Sequence, residues 1–170
     1  MNTLEAIKAR RSIRNYNSTP VEDEKLKTIL EAGAHAPNGA GVEVFYSVVR
    51  NCEVLEEIRS LARTPNQAPD YDPFYGATTV VVLSAEPHPI GCDQANAACA
   101  AENMLLAATE LGVGSIYLLG FVLALKNDAA TMQKINIPEG KVPLLGIALG
   151  YSDEAPAARE VAIKNVTYID

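Results

Sequence analysis

The sequence contains no tryptophan, two histidines and three cysteines among its 170 residues. The cysteines, Cys52, Cys92 and Cys99, form an odd set, and their spacing does not match the Cys and His ligands of a zinc site. Cys92 and Cys99 would lie about 10 Å apart on one helix, which is too far for a disulfide. The composition therefore predicts a reduced, cytoplasmic protein without a bound metal.

Sequence features of several other protein classes are missing as well. No apolar run is long enough to span a bilayer, and no early segment has the pattern of a secretory signal. A net charge of −7 argues against general affinity for nucleic acid or for an anionic membrane. No GxxxxGKS/T motif is present, and Gly112-Val113-Gly114 precedes a predicted strand rather than a helix, which excludes a Rossmann-type nucleotide site.

The few basic residues are unevenly placed, because Arg10, Arg11 and Arg14 surround Ser12 within five positions. They would form a solvated basic helix end, where cations offset the helix dipole. Alternatively they would form an anion site, since the planar guanidinium group suits oxygen anions and serine adds a hydroxyl donor. The residues alone leave both interpretations open.

Hydrophobic periodicity and turn signals predict two N-terminal helices followed by alternating strands and helices. Asn2 and Glu5 predict a capped first helix, and Thr19-Pro20 predicts the start of the second, which should end near His35 to Pro37. The alanine-rich segment 92–111 is apolar nearly all round and should form a buried central helix. Strands are predicted at 42–49, 78–85, 115–119 and 142–149, helices at 55–62, 92–111 and 122–135, and a loop at 64–75.

The predicted elements describe one domain over residues 1–151, with helices packed against a sheet. The remaining segment, 152–170, is loop-like and carries a few apolar residues that lack a local companion. Apolar side chains of this kind need a surface to lie against. We therefore expect residues 152–170 to form an arm that packs on a partner subunit.

Several segments, taken in order, resemble the nitroreductase-like FMN family along nearly the whole chain. The resemblance implies an α+β fold, in which a mixed sheet has helices on both faces as a three-layer sandwich. It also implies an intertwined homodimer with FMN at the subunit interface. The segments are RRSIRNY at 10–16, AGAHAPNGAG at 32–41, YGATTVVVLSA at 75–85, AENMLLAATELGVGSIYL at 101–118, IP at 137–138, LLGIALGYSDEAP at 144–156 and the late Arg159.

The resemblance implies the residues of a flavin site. Arg10 and Ser12 match positions on the phosphate and ribityl side, Arg14 matches a basic residue near the pyrimidine edge, and Arg11 is adjacent to them. Arg159 matches a late basic residue that closes on the phosphate. No catalytic side chain is expected, because the flavin itself carries the hydride chemistry. Two further segments match the family: Ala36, Pro37, Asn38 and Gly39 match the loop that the partner lays over the flavin, and Leu118, Leu119 and Gly120 match the turn that faces flavin N5.

The implied activity is hydride transfer from NAD(P)H, through FMN, to a small acceptor such as a nitroaromatic or a quinone, by a ping-pong mechanism. The chain departs from the family after Pro37, where NGAGVEVF replaces the S-x-x-N-x-Q-P-W pattern. The loss of these amides and of the aromatic residue predicts an altered pocket and weak activity on nitroaromatics. The altered segment also supports an alternative, a flavin-binding storage or redox-sensing protein without efficient turnover. A separate alternative is an α/β protein that binds another phosphorylated ligand.

Four weaker candidates complete the set of predicted functional residues. Glu102 is more plausible as a surface or hydrogen-bonded carboxylate than as a contact of the flavin edge. His35 is expected at a helix end, and Cys99 is expected to be a small core residue. Asn66 and Gln67 lie in the proline-rich loop, where solvent exposure is the ordinary expectation.

Overall fold

The fold is built from six α-helices and four strands in the computed structural model, which describes residues 1–63, 70–154, 156–157 and 159–169. A short 3₁₀ turn at Gly39–Gly41 lies between the second helix and the first strand. The helices are α1 (Thr3–Ala9), α2 (Asp23–Ala34), α3 (Cys52–Ala62), α4 (Cys92–Glu110), α5 (Val122–Leu125) and α6 (Ala129–Lys134), and the strands are β1 (Phe45–Val49), β2 (Thr79–Ala85), β3 (Gly114–Leu118) and β4 (Val142–Gly150). None of the helices in these described ranges is long and apolar enough to cross a membrane.

The four strands form one sheet in the order β1-β2-β4-β3, and every neighbouring pair is antiparallel. The expected mixed sheet is therefore corrected to an antiparallel one. Within the described residues, its parallel component is a single bridge between Ser12 and Ser115. This bridge attaches the N-terminal basic segment to the edge of the sheet at β3.

Side chains of β2 alternate between two hydrophobic cores, one on each face of the sheet. Val80 and Val82 pack with α3, α5 and the edge-to-face pair of Phe74 and Phe121. Val81 and Leu83 pack with α2 and α4 on the other face. Because successive residues of a strand point to opposite faces, a continuous apolar run such as this one fits a strand covered on both sides. The three-layer α+β sandwich is confirmed.

The second helix begins three residues later than its Thr19-Pro20 signal predicts, with Glu22 as its N-cap. Val21 is only 2% exposed, and its carbonyl accepts a hydrogen bond of 2.7 Å from Arg50. These contacts hold the chain extended before Asp23, so tertiary packing overrides the local start signal. The capping box of α1, from Asn2 to Glu5, forms as predicted.

Other boundaries also differ from the sequence-based prediction, among them the start of α3 at Cys52, three residues before the predicted start at 55. The predicted strand at 42–49 begins only at Phe45, because the 3₁₀ turn and the left-handed Ala40 (φ 57°) precede it. The predicted helix at 122–135 is divided into α5 and α6, since the Asp128 side chain accepts the Thr131 amide and starts a new helix. In the predicted loop at 64–75, residues 64–69 lie outside the described residues, and residues 70–75 contain neither helix nor strand.

Helix α4 extends through the centre of the fold close to its predicted bounds. Its alanines 97, 100, 101 and 108 are at most 1% exposed, and Met104 approaches α2 so closely that a Cβ on Gly33 would lie 2.8 Å from Met104 Cγ. One face of α4 is nevertheless exposed in the single chain, and it includes Cys99. The prediction that Cys99 is a core residue is therefore wrong. All three cysteines are free thiols, as expected.

Candidate flavin site

The basic segment 10–16 is held between β3 on one side and Tyr151, Ser152 and Ala157 on the other. On the β3 side, the Ile13 amide donates to the Ser115 carbonyl at 3.1 Å. On the opposite side, the Asn17 amide donates to the Tyr151 carbonyl at 2.8 Å, and the Ser152 hydroxyl donates to the Asn15 carbonyl. We call residues 151–154, 156 and 157 the C-terminal clamp. It fixes the backbone from which the arginine side chains project.

The three arginines of this segment have different partners. Arg10, at the C-cap of α1, has its Nε 3.6 Å from a carboxylate oxygen of Glu102 on α4. Arg11 donates to three backbone carbonyls, through Nη1 to Lys8 and Arg10 and through Nε to Ala157 of the clamp at 3.0 Å. Arg14 is exposed, and its Nη1 lies 3.4 Å from the carbonyl of Ser12. Arg11 therefore ties the end of α1 to the clamp, whereas Arg10 pairs with α4 and Arg14 is exposed.

These side chains surround one open cleft of about 310 Å³, which we call the basic cleft. Arg159 reaches it from the far end of the chain, because the Arg11 contact places Ala157 beside α1. Four arginines line this one small volume, and such a cluster of positive charge attracts a phosphate or another dianion. The residues that line the basic cleft are Arg10, Arg11, Ser12, Arg14, Pro156 and Arg159.

The loop predicted to cover the flavin lies in a second, separate cleft of about 260 Å³. Ala36, Pro37 and Asn38 form its wall together with Glu43, Tyr46 and Asn96, while Gly39 is exposed just beyond it. Burial of Tyr46 raises the pKa of its phenol above the ordinary value, so this hydroxyl stays protonated and is a donor at neutral pH. The single chain therefore keeps the predicted cover loop apart from its own basic cleft.

The third predicted group, Leu118 to Gly120, follows β3. Leu118 is 6% exposed, and its side chain packs in the core. Leu119 is 56% exposed, and a Cβ placed on Gly120 would meet no atom within 4 Å. The backbone of Leu119 and Gly120 is thus accessible, and neither residue lines the basic cleft or the second cleft.

The weaker candidates have ordinary positions. Glu102 is about half-exposed and pairs with Arg10, and His35 is the exposed C-cap of α2, as expected. Asn66 and Gln67 lie outside the described residues.

Sequence reasoning missed two features of the site. The first is the C-terminal clamp, whose contacts join residues more than 130 positions apart. The second is Asn96, a buried amide on α4 that bonds to the predicted cover loop. An asparagine among the alanines of an apolar helix was the available signal for it, since buried amides need hydrogen-bond partners.

Comparison with known proteins identifies the family of this chain. The NADPH-flavin oxidoreductase of Vibrio harveyi is 31% identical over 176 residues, which cover 93% of this chain and 69% of that protein. The solved structure of a nitroreductase with bound FMN from Bacteroides fragilis matches all of both chains, with a TM-score of 0.87 and 32% identity. An FMN-bound nitroreductase from Desulfitobacterium hafniense also matches all of both chains, with a TM-score of 0.88 and 26% identity. The sequence model of the nitroreductase family matches residues 7–151, and the chain therefore belongs to the nitroreductase family.

Proposed function

We propose that this protein is an FMN-dependent oxidoreductase that takes hydride from NAD(P)H and passes it to a small acceptor by a ping-pong mechanism. The V. harveyi relative is named for flavin chemistry with NADPH, and the B. fragilis and D. hafniense structures contain FMN. The observation from this chain that carries the proposal is the basic cleft, because its residues suit the cofactor.

The donor set of the basic cleft fits the phosphate end of FMN. That phosphate carries close to two negative charges and is bound best by charge-assisted donors. The cleft offers guanidinium groups from Arg10, Arg14 and Arg159, together with the hydroxyl of Ser12. This positive charge is gathered at one cleft of a chain whose net charge is −7.

The arginines and the serine of the basic cleft have different roles in the proposed flavin site. Arg10, Ser12 and Arg159 hold the phosphate and ribityl end, and Arg14 lies at the pyrimidine edge, where a cation stabilises negative charge on the ring. Arg11 acts through the backbone, since its contacts with Lys8, Arg10 and Ala157 fix the segment that carries the others. When bound, FMN supplies the group that accepts and donates hydride, so the protein contributes binding, orientation and charge.

A homodimer supplies the remainder of the proposed site. The arm beyond the clamp contains Val161, Ile163 and Tyr168, which are 69%, 84% and 85% exposed in the single chain. Side chains this apolar favour burial against a second copy. Because the cover loop and the basic cleft are separate within one chain, the loop of one subunit completes the cleft of the other in the proposed assembly.

Flavin reduction by NAD(P)H tests the proposal. The purified protein should absorb near 450 nm as a flavoprotein does, and anaerobic NADH or NADPH should bleach this absorbance within the time of turnover. Initial rates with varied NAD(P)H at several acceptor concentrations should give parallel double-reciprocal lines. A flavin that binds and remains oxidised for many minutes with both nucleotides would support the storage or sensing function instead, and a colourless protein that binds no added FMN would refute both.

A further inference from the structure

The side chain of Asn96 makes more hydrogen bonds to the cover loop than the described backbone of that loop makes to itself. Its Oδ1 accepts the Gly39 amide at 2.9 Å. Its Nδ2 donates to Asn38 Oδ1 at 2.9 Å, to the Gly39 carbonyl at 3.0 Å and to the Val42 carbonyl at 2.9 Å. Because an amide N–H can only donate, the Gly39 contact fixes which side-chain atom is the oxygen.

Asn96 is placed rigidly enough to act as an anchor. It is 6% exposed and lies in the second turn of α4, between the buried Asp93 and Ala97. Its oxygen accepts one hydrogen bond, and its two Nδ2 protons serve three acceptors. A buried amide whose oxygen and nitrogen both have partners favours one arrangement of its neighbours, since another arrangement leaves polar groups unpaired.

The loop itself has few other restraints. Residues 38–41 are exposed, and apart from the bonds within the 3₁₀ turn itself, the backbone hydrogen bond described within 38–42 joins the Val42 amide to the Gly39 carbonyl at 3.3 Å. Ala40 has φ of 57°, in the left-handed region that costs a residue with a side chain free energy. A strained backbone of this kind persists only where surrounding contacts determine it. Asn96 provides those contacts.

We propose that Asn96 is the positioning residue of the flavin-covering loop, an inference that rests on the proposed function. The loop lacks the amides and the tryptophan of the pattern that the family resemblance leads one to expect, and α4 supplies an anchor from outside it. By fixing Asn38 and Gly39, Asn96 sets the wall of the cleft that also contains Glu43 and Tyr46. It thereby controls how tightly the loop closes over the ring and which acceptors fit beneath it.

Asn96→Ala tests the proposal, with Asn103→Ala as the matched control on the same helix. Asn103 donates a single hydrogen bond, to the Ala32 carbonyl at 3.1 Å, and lies outside both clefts. Hydrogen–deuterium exchange on the full-length protein, with and without FMN, should show faster exchange at residues 38–42 in Asn96→Ala only. The dissociation constants of FMN and riboflavin should rise together, by roughly tenfold, because the loop is expected over the ring rather than the phosphate.

Steady-state kinetics separate positioning from a general loss of structure. The KM for the acceptor should rise in Asn96→Ala while kcat changes little, and β2 should keep its exchange protection. Asn96→Ser removes the amide but keeps a small neutral hydroxyl that both donates and accepts, so it should be intermediate in all readouts and covers the case in which the alanine variant unfolds. Unchanged exchange at 38–42 would overturn the proposal, and so would faster exchange with wild-type flavin affinity and KM. If the wild-type protein bound no flavin, the proposed function would fail, whereas loop exchange would still report whether Asn96 anchors the loop.

Discussion

The Nε atom of Arg10 lies 3.6 Å from a carboxylate oxygen of Glu102, so the first arginine of the basic cleft is paired with the central helix. The Arg10 side chain is 23% exposed and that of Glu102 is 53% exposed. An ion pair this accessible to water adds little to the stability of the fold. Its main effect is on the cleft, where the carboxylate reduces the attraction of Arg10 for an incoming anion.

Replacing Glu102 with glutamine should therefore strengthen FMN binding. The change removes one negative charge beside the proposed phosphate site and keeps the shape of the side chain. We expect the dissociation constant of FMN to fall roughly two- to fivefold, in line with the usual worth of a solvent-exposed charge pair. Riboflavin, which has no phosphate, should bind as it does to the wild type. Weaker FMN binding in Glu102→Gln would mean instead that the carboxylate is needed to orient Arg10.

Arg10→Ala and Arg14→Gln should separate the two ends of the flavin. Loss of Arg10 should weaken FMN binding about ten- to hundredfold and leave riboflavin nearly unaffected, because a charge-assisted contact to the phosphate is lost. Arg14→Gln should weaken both ligands by similar factors and make the flavin potential more negative. Fluorescence titration of both variants with FMN and riboflavin measures the dissociation constants, and a redox titration measures the flavin potential. Equal and negligible effects on binding would mean that these arginines only form a solvated helix end and do not bind the flavin.

The sequence was most informative where local pattern and burial agree. The apolar run of β2 and the alanines of α4 predicted their elements to within one residue at each end, because both lie at the centre of the packed layers. The start of α2 was wrong because the burial of Val21 and its contact with Arg50 are non-local. Thr19 and Pro20 carry a start signal, and tertiary structure overrides it.

Non-local contacts also limit what the sequence predicts about the residues of the basic cleft. Its N-terminal arginines are visible as a cluster, but Arg159 lies 145 positions beyond Arg14 and was identified only through family resemblance. The hydrogen bond from Arg11 to the Ala157 carbonyl brings Arg159 near the other arginines, and no periodic sequence pattern predicts this contact. Asn96 was missed for a related reason, since its partners are backbone groups of another segment.

Gly146→Ala should destabilise the fold through Phe121. A Cβ at Gly146 would lie 2.6 Å from Cζ of the Phe121 ring, in the core beside β4. We expect a loss of about 1 to 3 kcal/mol in the free energy of unfolding, the usual cost of overpacking. Gly120→Ala is the matched control, because a Cβ there would meet no atom within 4 Å. Urea denaturation of both variants checks this, and equal midpoints would contradict the described packing.

The contact between Glu22 and Tyr151 should make stability depend on pH. A hydrogen bond from the Tyr151 hydroxyl lowers the pKa of Glu22 below its ordinary value. A carboxylate with a lowered pKa stabilises the folded state above its unfolded pKa, and this contribution is lost as pH falls through the folded pKa. Denaturation midpoints should therefore fall less steeply in acid for Tyr151→Phe than for the wild type. If the denaturation midpoints of both proteins depended on pH in the same way, the contact would contribute nothing to the free energy of unfolding.

Shortening the chain at two points should separate the clamp from the arm. A chain that ends at Glu160 keeps Arg159 and the clamp contacts of Tyr151, Ser152 and Ala157. It loses the exposed apolar side chains of Val161, Ile163 and Tyr168. We expect this chain to be a folded monomer that binds FMN weakly, because the partner's loop is missing.

A chain that ends at Gly150 also loses the clamp and Arg159, so it should lose dimer and flavin together and be less stable than the Glu160 form. The full-length variant Ile163→Ser with Tyr168→Ser is the control, because it reduces the apolar surface of the arm without shortening the chain. It should weaken the dimer while keeping the basic cleft. Sedimentation velocity with detection at a flavin wavelength reports assembly and cofactor in one experiment. A flavin-loaded dimer from the chain that ends at Gly150 would show that neither segment has the assigned role. If the chain that ends at Glu160 formed a flavin-loaded dimer and the chain that ends at Gly150 did not, the role assigned to the arm would be wrong. The clamp would then remain the element that completes the basic cleft.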